Sequence, residues 1–230
     1  MKTVGKSQKG AGRRAWVDCG CALAVAMLMA SSAGAAGLSE LTVTARVYDY
    51  ASVPSSVIRS AEAEATRIFA AAGIDMTWVD CSGTRVPARS GLAQAEEATT
   101  GCFAPVTGAD VVVRILSRST PANRAFRDTM FGFAEGNFVA SVFYARVEDF
   151  AHGPYGNQTD IPVILGVVIA HEVGHLLLGT NSHSRTGIMC GKWDGESLRL
   201  AREGFQTFSA EQAAVMRTAV LRKRTEIGQP

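Results

Sequence analysis

The stretch IPVILGVVIAHEVGHLLLGTNSH, residues 161–183, decides how this chain folds. It begins with ten wholly apolar residues and continues as H-E-x-x-H over residues 171–175. If this run is helical, His171 and His175 lie one turn apart and point the same way. Two imidazoles placed in this way can bind one zinc ion, with Glu172 beside the water that the metal activates. The stretch therefore predicts an apolar helix that carries a metal site.

A glycine and a third histidine follow the motif. A left-handed conformation at Gly179 would reverse the chain and let His183 return to the metal. Three neutral imidazoles with a fourth position left for water are the ligand set of catalytic rather than structural zinc. We therefore expect Zn²⁺ bound by His171, His175 and His183, with Glu172 as a general base and not a ligand. Burying these groups without a cation would be costly, which favours a metal site over ordinary core histidines.

The same residues, followed by Gly187-Ile188-Met189, resemble the metzincin group of zinc peptidases. That group has the pattern H-E-x-x-H-x-x-G-x-x-H and, downstream, a tight turn bearing a methionine beneath the metal. The resemblance covers about residues 163–193. It implies the ligand and base roles given above and makes Met189 the turn methionine.

The spacing departs from the family pattern. Gly179 lies four residues after His175 where the family has three, and His183 lies eight residues after it where the family has six. A loop that is two residues longer can still bring His183 to the metal. The alternative is a later acidic ligand, and the candidates for it are Asp194, Glu196 and Glu203.

The resemblance also implies hydrolysis of a peptide bond in a peptide or protein substrate. Zinc lowers the pKa of its bound water to about 7 and polarises the scissile carbonyl. Glu172 would accept the water proton and pass it to the leaving amine. The substrate would lie extended along an exposed strand edge. Residues 137–146, a segment of high β-propensity, are the candidate for that edge, with an interior strand as the equal alternative.

Residues 1–35 are predicted to be a secretory signal peptide. Five basic residues precede a short apolar run at residues 22–30, and an A-x-A site follows at residues 33–35. The run is shorter than the roughly 20 residues that span a bilayer. We expect cleavage after Ala35, which leaves residues 36–230 as one secreted or periplasmic domain.

Removal of this leader changes the charge of the chain. The leader holds five of the 23 basic residues and one of the 21 acidic residues, so 18 basic and 20 acidic residues remain. The formal charge therefore changes from +2 to −2. The remaining basic cluster, residues 222–224, lies at the end of a predicted helix, where it complements the helix dipole. We expect no nucleic-acid partner, and we expect a monomer.

The cysteines agree with export. Cys19 and Cys21 leave with the leader, and three cysteines remain, for which three pairings are possible. Cys81 and Cys102 bracket a polar stretch, and we expect a disulfide between them. Closing a loop of that size stabilises the fold by about 3 kcal/mol on the chain-entropy model. Cys190 is then unpaired, and its use as a zinc ligand is the less favoured alternative.

The rest of the chain predicts an α+β fold. Alternating or apolar runs predict strands at residues 41–50, 74–79 and 110–116, the last apolar enough to lie centrally. Helices are predicted at residues 57–72, before Gly73, and at about 210–224, after a capping box at residues 209–212.

The last of these helices carries four apolar residues on one face and should pack against the sheet; they are Ala213, Met216, Val220 and Leu221. Residues 82–108 and 117–136 are expected to be loops or irregular. We expect a single zincin-like domain, in which a mixed twisted sheet has a backing helix, an active-site helix and a C-terminal helix.

Two other functions fit the same residues. A membrane-associated HExxH peptidase would explain the apolar residues 161–179, but such enzymes need several spanning helices, and the mature chain has no second candidate run. A secreted zinc-binding or interaction module without turnover would keep the metal but have an occluded cleft or no substrate. The reading that we favour is a secreted zinc-dependent endopeptidase with no stable membrane span once the leader is removed.

Overall fold

The computed structural model describes residues 41–83, 101–106 and 108–225. The predicted signal peptide lies outside these residues, as does most of the predicted loop between Cys81 and Cys102. All structural statements below concern the described residues.

Five strands form one mixed sheet. They are β1 (Thr42–Asp49), β2 (Asp75–Asp80), β3 (Val111–Leu116), β4 (Gly132–Glu135) and β5 (Val139–Phe143). Their order is β2-β1-β3-β5-β4; the first four of these are parallel, and β4 is antiparallel to β5 at one edge. Strand β3 lies at the centre, as its apolar run predicts.

Besides the sheet, the described residues form one short 3₁₀ helix, Gln158–Asp160, and six numbered α-helices. They are α1 (Ser55–Ala71), α2 (Pro121–Ala125), α3 (Tyr144–Ala151), α4 (Ile161–Leu178), α5 (Gly195–Arg202) and α6 (Ala210–Thr225). Helix α4 lies at the middle of the molecule and contacts α1, α6 and the strands β4 and β5. The predicted α+β architecture, with a mixed sheet, a backing helix, an active-site helix and a C-terminal helix, is confirmed.

Burial explains the apolar sequence of α4. A stretch that includes this helix, residues 158–178, is long and apolar enough to cross a membrane by length and composition. However, 83% of its 18-residue apolar window is buried inside the protein. A helix that is hydrophobic all round is expected where neighbours cover every face. The H-E-x-x-H motif is therefore carried by the core helix of the fold.

An ion pair between buried Asp160 and exposed Arg202 fixes the start of α4. The Asp160 carboxylate accepts hydrogen bonds from Arg202 Nε at 2.7 Å and from Arg202 Nη2 at 2.6 Å. It also accepts one from the backbone N–H of Asn157 at 2.7 Å. The Arg202 hydrogen bond, helped by that of Asn157, lowers the pKa of Asp160 despite its burial. This bidentate contact joins the end of α5 to the first turn of α4.

The predicted disulfide is confirmed, since Cys81 and Cys102 are bonded. It attaches the segment 101–106 to the end of β2. The Tyr48 hydroxyl donates to the Cys102 carbonyl at 2.8 Å, and the Arg46 guanidinium donates to carbonyl oxygens of the same segment. Cys190 forms no disulfide, as expected.

Two predictions of secondary structure were wrong, and one helix was not predicted. Residues 117–136, expected to be irregular, contain α2 and β4. The predicted strand 137–146 ends at Phe143, and the chain continues as α3. Its aromatic and β-branched residues favour a strand locally, but leaving the sheet lets Tyr144 and Val147 enter the core from a helix. Helix α5 was not predicted, because it is short and carries only two buried residues.

The C-terminal helix also differs from the prediction in its packing. Ala213, Met216 and Val220 are buried as expected, but Leu221 is exposed. Helix α6 packs mainly against α4 and not against the sheet. The expected capping box is present, since the Gln212 backbone N–H donates to the Ser209 hydroxyl and the Ser209 backbone N–H donates to the Gln212 side chain.

Close contact between α1 and α4 gives a test of this packing. A Cβ added at Gly166 would lie 2.6 Å from the Ala61 carbonyl oxygen and 2.8 Å from Glu64 Cβ. Gly166→Ala should therefore lower the free energy of unfolding by about 1–3 kcal/mol, although alanine is the better helix former. Urea denaturation measures this. Gly83→Ala, where a Cβ meets nothing within 4 Å, is the control; equal stability of the two variants would contradict the described packing.

Candidate metal centre

Helix α4 and the turn after it bring three histidines together. The Nε2 atoms of His171 and His175 are 3.1 Å apart, one helical turn from each other. Gly179 ends the helix with φ 67° and ψ 27°, the left-handed conformation that its position predicts. The chain then reverses and places His183 Nε2 3.3 Å from His171 Nε2. The longer loop does bring the third histidine to the pair, and the three ligand atoms all lie within 4.8 Å of one another.

Two backbone carbonyls determine which nitrogen of each buried ring is free. His171 Nδ1 lies 2.7 Å from the Ile188 carbonyl oxygen, and His175 Nδ1 lies 2.7 Å from that of Thr180. A carbonyl oxygen only accepts, so each Nδ1 carries the proton and donates it. Each Nε2 therefore presents a lone pair toward the centre of the cluster, as metal-binding imidazoles do.

The neutral state of these rings is favoured by burial. Desolvation lowers the pKa of His171 to about 4, and it also lowers the pKa of His175. Two neutral rings with lone pairs 3.1 Å apart cannot hydrogen-bond to each other, because neither Nε2 has a proton. A cation placed between them would satisfy both lone pairs.

The donor set fits zinc. Tetrahedral zinc with bonds of about 2.0–2.1 Å to imidazole nitrogen separates its ligand atoms by roughly 3.3–3.4 Å. The two measured separations at His171 are 3.1 and 3.3 Å. His171, His175 and His183 could therefore hold one zinc ion and leave a fourth position open.

Glu172 lies beside this cluster without belonging to it. Its side chain is 5% exposed and lines a cavity of about 90 Å³ together with His171 and His183. Burial raises the pKa of the carboxyl to about 8. A Cβ added at Gly132 of β4 would lie 2.8 Å from Glu172 Oε1, so the edge strand and the carboxylate are in close contact. The expected base thus lies next to the histidines and faces the same space.

The predicted turn methionine lies against the motif. The Cys190 N–H donates to the Gly187 carbonyl at 3.1 Å, which closes a turn around the fully buried Met189. The position of a Cβ on Gly174 would be 2.9 Å from Met189 Sδ. Because Gly174 is part of H-E-x-x-H, this turn packs directly on the motif. It also supplies the Ile188 carbonyl that orients His171.

The alternative third ligands lie elsewhere. Glu196 and Glu203 both form ion pairs with Arg199, at 2.7 and 2.6 Å. Asp194 accepts a hydrogen bond from the backbone N–H of Ser197 at 2.9 Å and caps α5. None of these carboxylates joins the histidine cluster in the described part of the chain.

Cys190 is placed close to the site but outside the cluster. It lines the cavity beside His171, and its thiol donates to the Lys192 carbonyl at 3.4 Å. The structure therefore gives no support to a ligand role for Cys190, in agreement with the low weight that the sequence gives it.

The exposed strand edge is not the one predicted. Residues 139–143 form β5, which is paired on one side with β3 and on the other with β4. The interior alternative for this segment is therefore correct, and the edge beside α4 is β4. A four-residue strand that begins with Gly132 gives little periodicity to detect. The cavity-lining residues Phe131, Trp193 and Gly191 were likewise not foreseen, since nothing in their local sequence marks them.

No family model matches the chain, and no curated protein matches it. Among solved structures, the chain is similar to a crystal structure of archaemetzincin from Methanopyrus kandleri, with 16% sequence identity and a TM-score of 0.45. The similarity covers 82% of this chain and 99% of that chain. The metal centre described above is defined by the side chains of this chain alone.

The ring of His183 gives a test of the cluster. A Cβ added at Gly191 would lie 2.9 Å from His183 Cγ and 3.0 Å from its Nδ1. Gly191→Ala should therefore push this imidazole away and weaken zinc binding, by about 10-fold or more if the third ligand is lost from the ion. Competition with a fluorescent chelator measures the affinity. Lys192→Ala, at the exposed neighbouring position, is the control; identical zinc affinity in both variants would contradict the placement of His183.

The buried carboxyl gives a second test, on protein whose metal has been removed by a chelator. Between pH 4.5 and 8 the folded state retains the Glu172 proton that the unfolded state releases, so ionisation destabilises the fold as the pH rises. Glu172→Gln should therefore be more stable than the wild type, by an amount that grows from pH 5 to 8 and reaches on the order of 3 kcal/mol at pH 7. Thermal unfolding across this range measures it. A difference that does not change with pH would contradict the burial of this carboxyl.

Proposed function

We propose that the protein is a secreted zinc-dependent endopeptidase. The observation that carries this proposal is the convergence of three imidazole Nε2 atoms beside a buried carboxylate, at the edge of a sheet. Neither feature serves the fold by itself, since buried polar groups without partners destabilise proteins. Together they are the parts of a hydrolytic metal centre.

His171, His175 and His183 would hold the zinc ion. When bound, zinc supplies a Lewis acid that lowers the pKa of water to about 7 and polarises a carbonyl group. The backbone carbonyls of Ile188 and Thr180 keep the first two rings in the tautomer that ligation needs.

Glu172 would act as the general base. Its carboxyl group faces the same cavity as two of the histidines and is held there by contact with Gly132. Burial raises the pKa of Glu172 in the metal-free chain, and a neighbouring zinc ion would favour the ionised carboxylate, which could accept a proton from the attacking water and deliver it to the leaving amine. A position next to the ligands, but outside their cluster, is what this role requires.

Strand β4 would bind the substrate backbone. It is the edge strand, paired with β5, and its first residue, Gly132, lines the cavity beside His171 and Glu172. An extended peptide can add to such an edge by main-chain hydrogen bonds. The backbone carbonyl groups of the peptide would then lie beside Glu172. A backbone-based contact of this kind supports a peptide or protein substrate in preference to a small molecule.

The motif and its geometry support a place among metzincin-like zinc peptidases. The helix-borne H-E-x-x-H and the turn around Met189 support this proposal, and Gly179 is left-handed one residue later than the glycine of the family pattern. The spacing to His183 remains two residues longer than in the family pattern. We also propose that the chain is exported, because it carries a disulfide in addition to the predicted leader.

Glu172→Gln is the direct test of this function. The variant should bind zinc at one ion per chain, because Glu172 is not a ligand, and should cleave peptides about 100- to 10,000-fold more slowly, because the proton acceptor is lost. Cleavage of a diverse peptide library, with metal content measured on the same samples, shows both. Unchanged cleavage would refute the role of Glu172. An absence of cleavage by the zinc-loaded wild type would instead favour a zinc-binding module without turnover.

Two further variants separate ligands from neighbours in the same assay. His183→Ala should lose zinc as well as activity, because only two imidazoles remain. Glu196→Gln, at an acidic residue paired with Arg199, should keep both. Full zinc content in His183→Ala together with loss in Glu196→Gln would assign the third position to the acidic residue.

A further inference from the structure

A large groove adjoins the metal centre. Its volume is about 1130 Å³, and it shares four lining residues with the small cavity beside the histidines, namely Thr129, Phe131, Gly191 and Trp193. A chain leaving the metal centre past these residues would enter the groove directly. We call this space the aromatic groove.

Three aromatic rings form one wall of the aromatic groove. The centroids of Phe131 and Phe150 are 5.4 Å apart, and Trp193 lies 5.5 Å from Phe131 and 6.2 Å from Phe150. All three rings line the groove and are only partly buried. Partly exposed aromatic rings around a concave space are suited to receive a large apolar side chain.

The aromatic groove is lined by more basic than acidic side chains. Seven charged side chains line it: Arg118, Arg124, Arg146, Lys192, Asp128, Asp149 and Asp194. Arg118 pairs with Asp149 at 2.7 Å, and Asp128 lies 4.0 Å from Arg146. Asp194 accepts hydrogen bonds at the start of α5. Three acids and two of the four bases are thus engaged within the protein.

Arg146 is also held by the backbone. Its guanidinium donates to four carbonyl oxygens of the segment that precedes β4, those of residues 123, 126, 127 and 130. It is buried and lies over the ring of Phe143 at 4.2 Å. Its charge therefore organises the wall of the groove and is not available to a ligand.

Two cations remain. Arg124 and Lys192 are exposed and line the aromatic groove, and within the described residues neither has a hydrogen bond or an ion pair from its side chain. They lie on separate segments, one in α2 and the other after the methionine turn. Both would gain from a carboxylate in the groove.

Strand direction shows which part of a substrate would reach this groove. Strand β4 runs from Gly132, beside Glu172, to Glu135, and residues 129–131 precede it in the groove. A peptide that pairs antiparallel to β4 passes Glu135 first, then Gly132, and then residues 131–129. In that orientation, the part of the peptide that follows the scissile bond would enter the aromatic groove.

We propose that the aromatic groove selects peptides that carry a carboxylate beyond the scissile bond. Arg124 and Lys192 receive this carboxylate, and the aromatic wall packs against the neighbouring part of the peptide. The carboxylate can come from an acidic side chain or from a free chain terminus. This inference rests on the proposed endopeptidase function and deepens it by naming a substrate class.

Matched peptides test the selection. In the first pair, the scissile bond is followed by Phe-Asp in one peptide and by Phe-Asn in the other. In the second pair, both peptides end at the Asn of Phe-Asn, one with a free carboxyl terminus and the other with an amidated terminus. The wild type should prefer each carboxylate form by about five-fold in kcat/KM at low salt, and less at high salt, because the cations are exposed. A preference in one pair and not in the other identifies the source of the carboxylate.

Charge-removing variants locate the selection. Arg124→Gln combined with Lys192→Gln should abolish the preference while zinc content and cleavage of the Phe-Asn peptide stay as in the wild type. Arg222→Gln, a cation of α6 that lines a different hollow, is the control and should keep the preference. Cleavage without any preference for a carboxylate would overturn the inference and leave the proposed function intact.

Binding separates this inference from the proposed function. Labelled versions of the same peptides can be titrated into the Glu172→Gln variant, with anisotropy as the readout, so that no turnover is needed. Tighter binding of the carboxylate forms, lost when Arg124 and Lys192 are replaced, supports the inference even if the wild type cleaves no peptide. Equal binding of all forms contradicts it.

Discussion

The structure depends on one electrostatic constraint: neutral imidazoles whose lone pairs point at each other in a buried position. His171 and His175 must both donate from Nδ1 to backbone carbonyls, so their Nε2 atoms meet at 3.1 Å without a proton between them. Water is largely excluded there, and repulsion between the lone pairs is poorly screened. A bound cation would turn this arrangement into a stable one. The burial of α4, the reversal at Gly179 and the methionine turn all serve to hold that geometry.

Much of the fold could be predicted because its strongest signals are local. Hydrophobic patterning indicates which elements are buried, as in the apolar run of α4, the alternation in β1 and the valines of β3. The ends of two helices are marked by Gly73 and Gly179. Short elements were missed, because β4 and α5 owe their conformation to neighbours and not to their own periodicity. Residues 144–146 are the clearest case, since they were predicted as the end of a strand and instead begin a helix where the chain leaves the sheet.

The ligands and the base were predictable, but the surroundings that position them were not. H-E-x-x-H requires one helical turn, and the left-handed glycine makes the return of His183 possible. By contrast, the close contacts at Gly132, Gly174 and Gly191 are visible only in the folded structure. A Cβ at these positions would collide with Glu172, Met189 and His183, respectively. The same holds for the aromatic groove, whose walls come from segments distant in sequence. Spacing along the chain predicts which side chains lie on one face of a helix. It does not predict which residues pack against that face.

X-ray absorption at the zinc edge on the purified protein tests the central claim most directly. It reports the number, type and distance of the atoms bound to the ion. We predict one zinc per chain with three imidazole nitrogens at about 2.0–2.1 Å and a light fourth ligand. A sulfur atom at about 2.3 Å would assign Cys190 to the ion, and protein that takes up no zinc would contradict the metal centre itself.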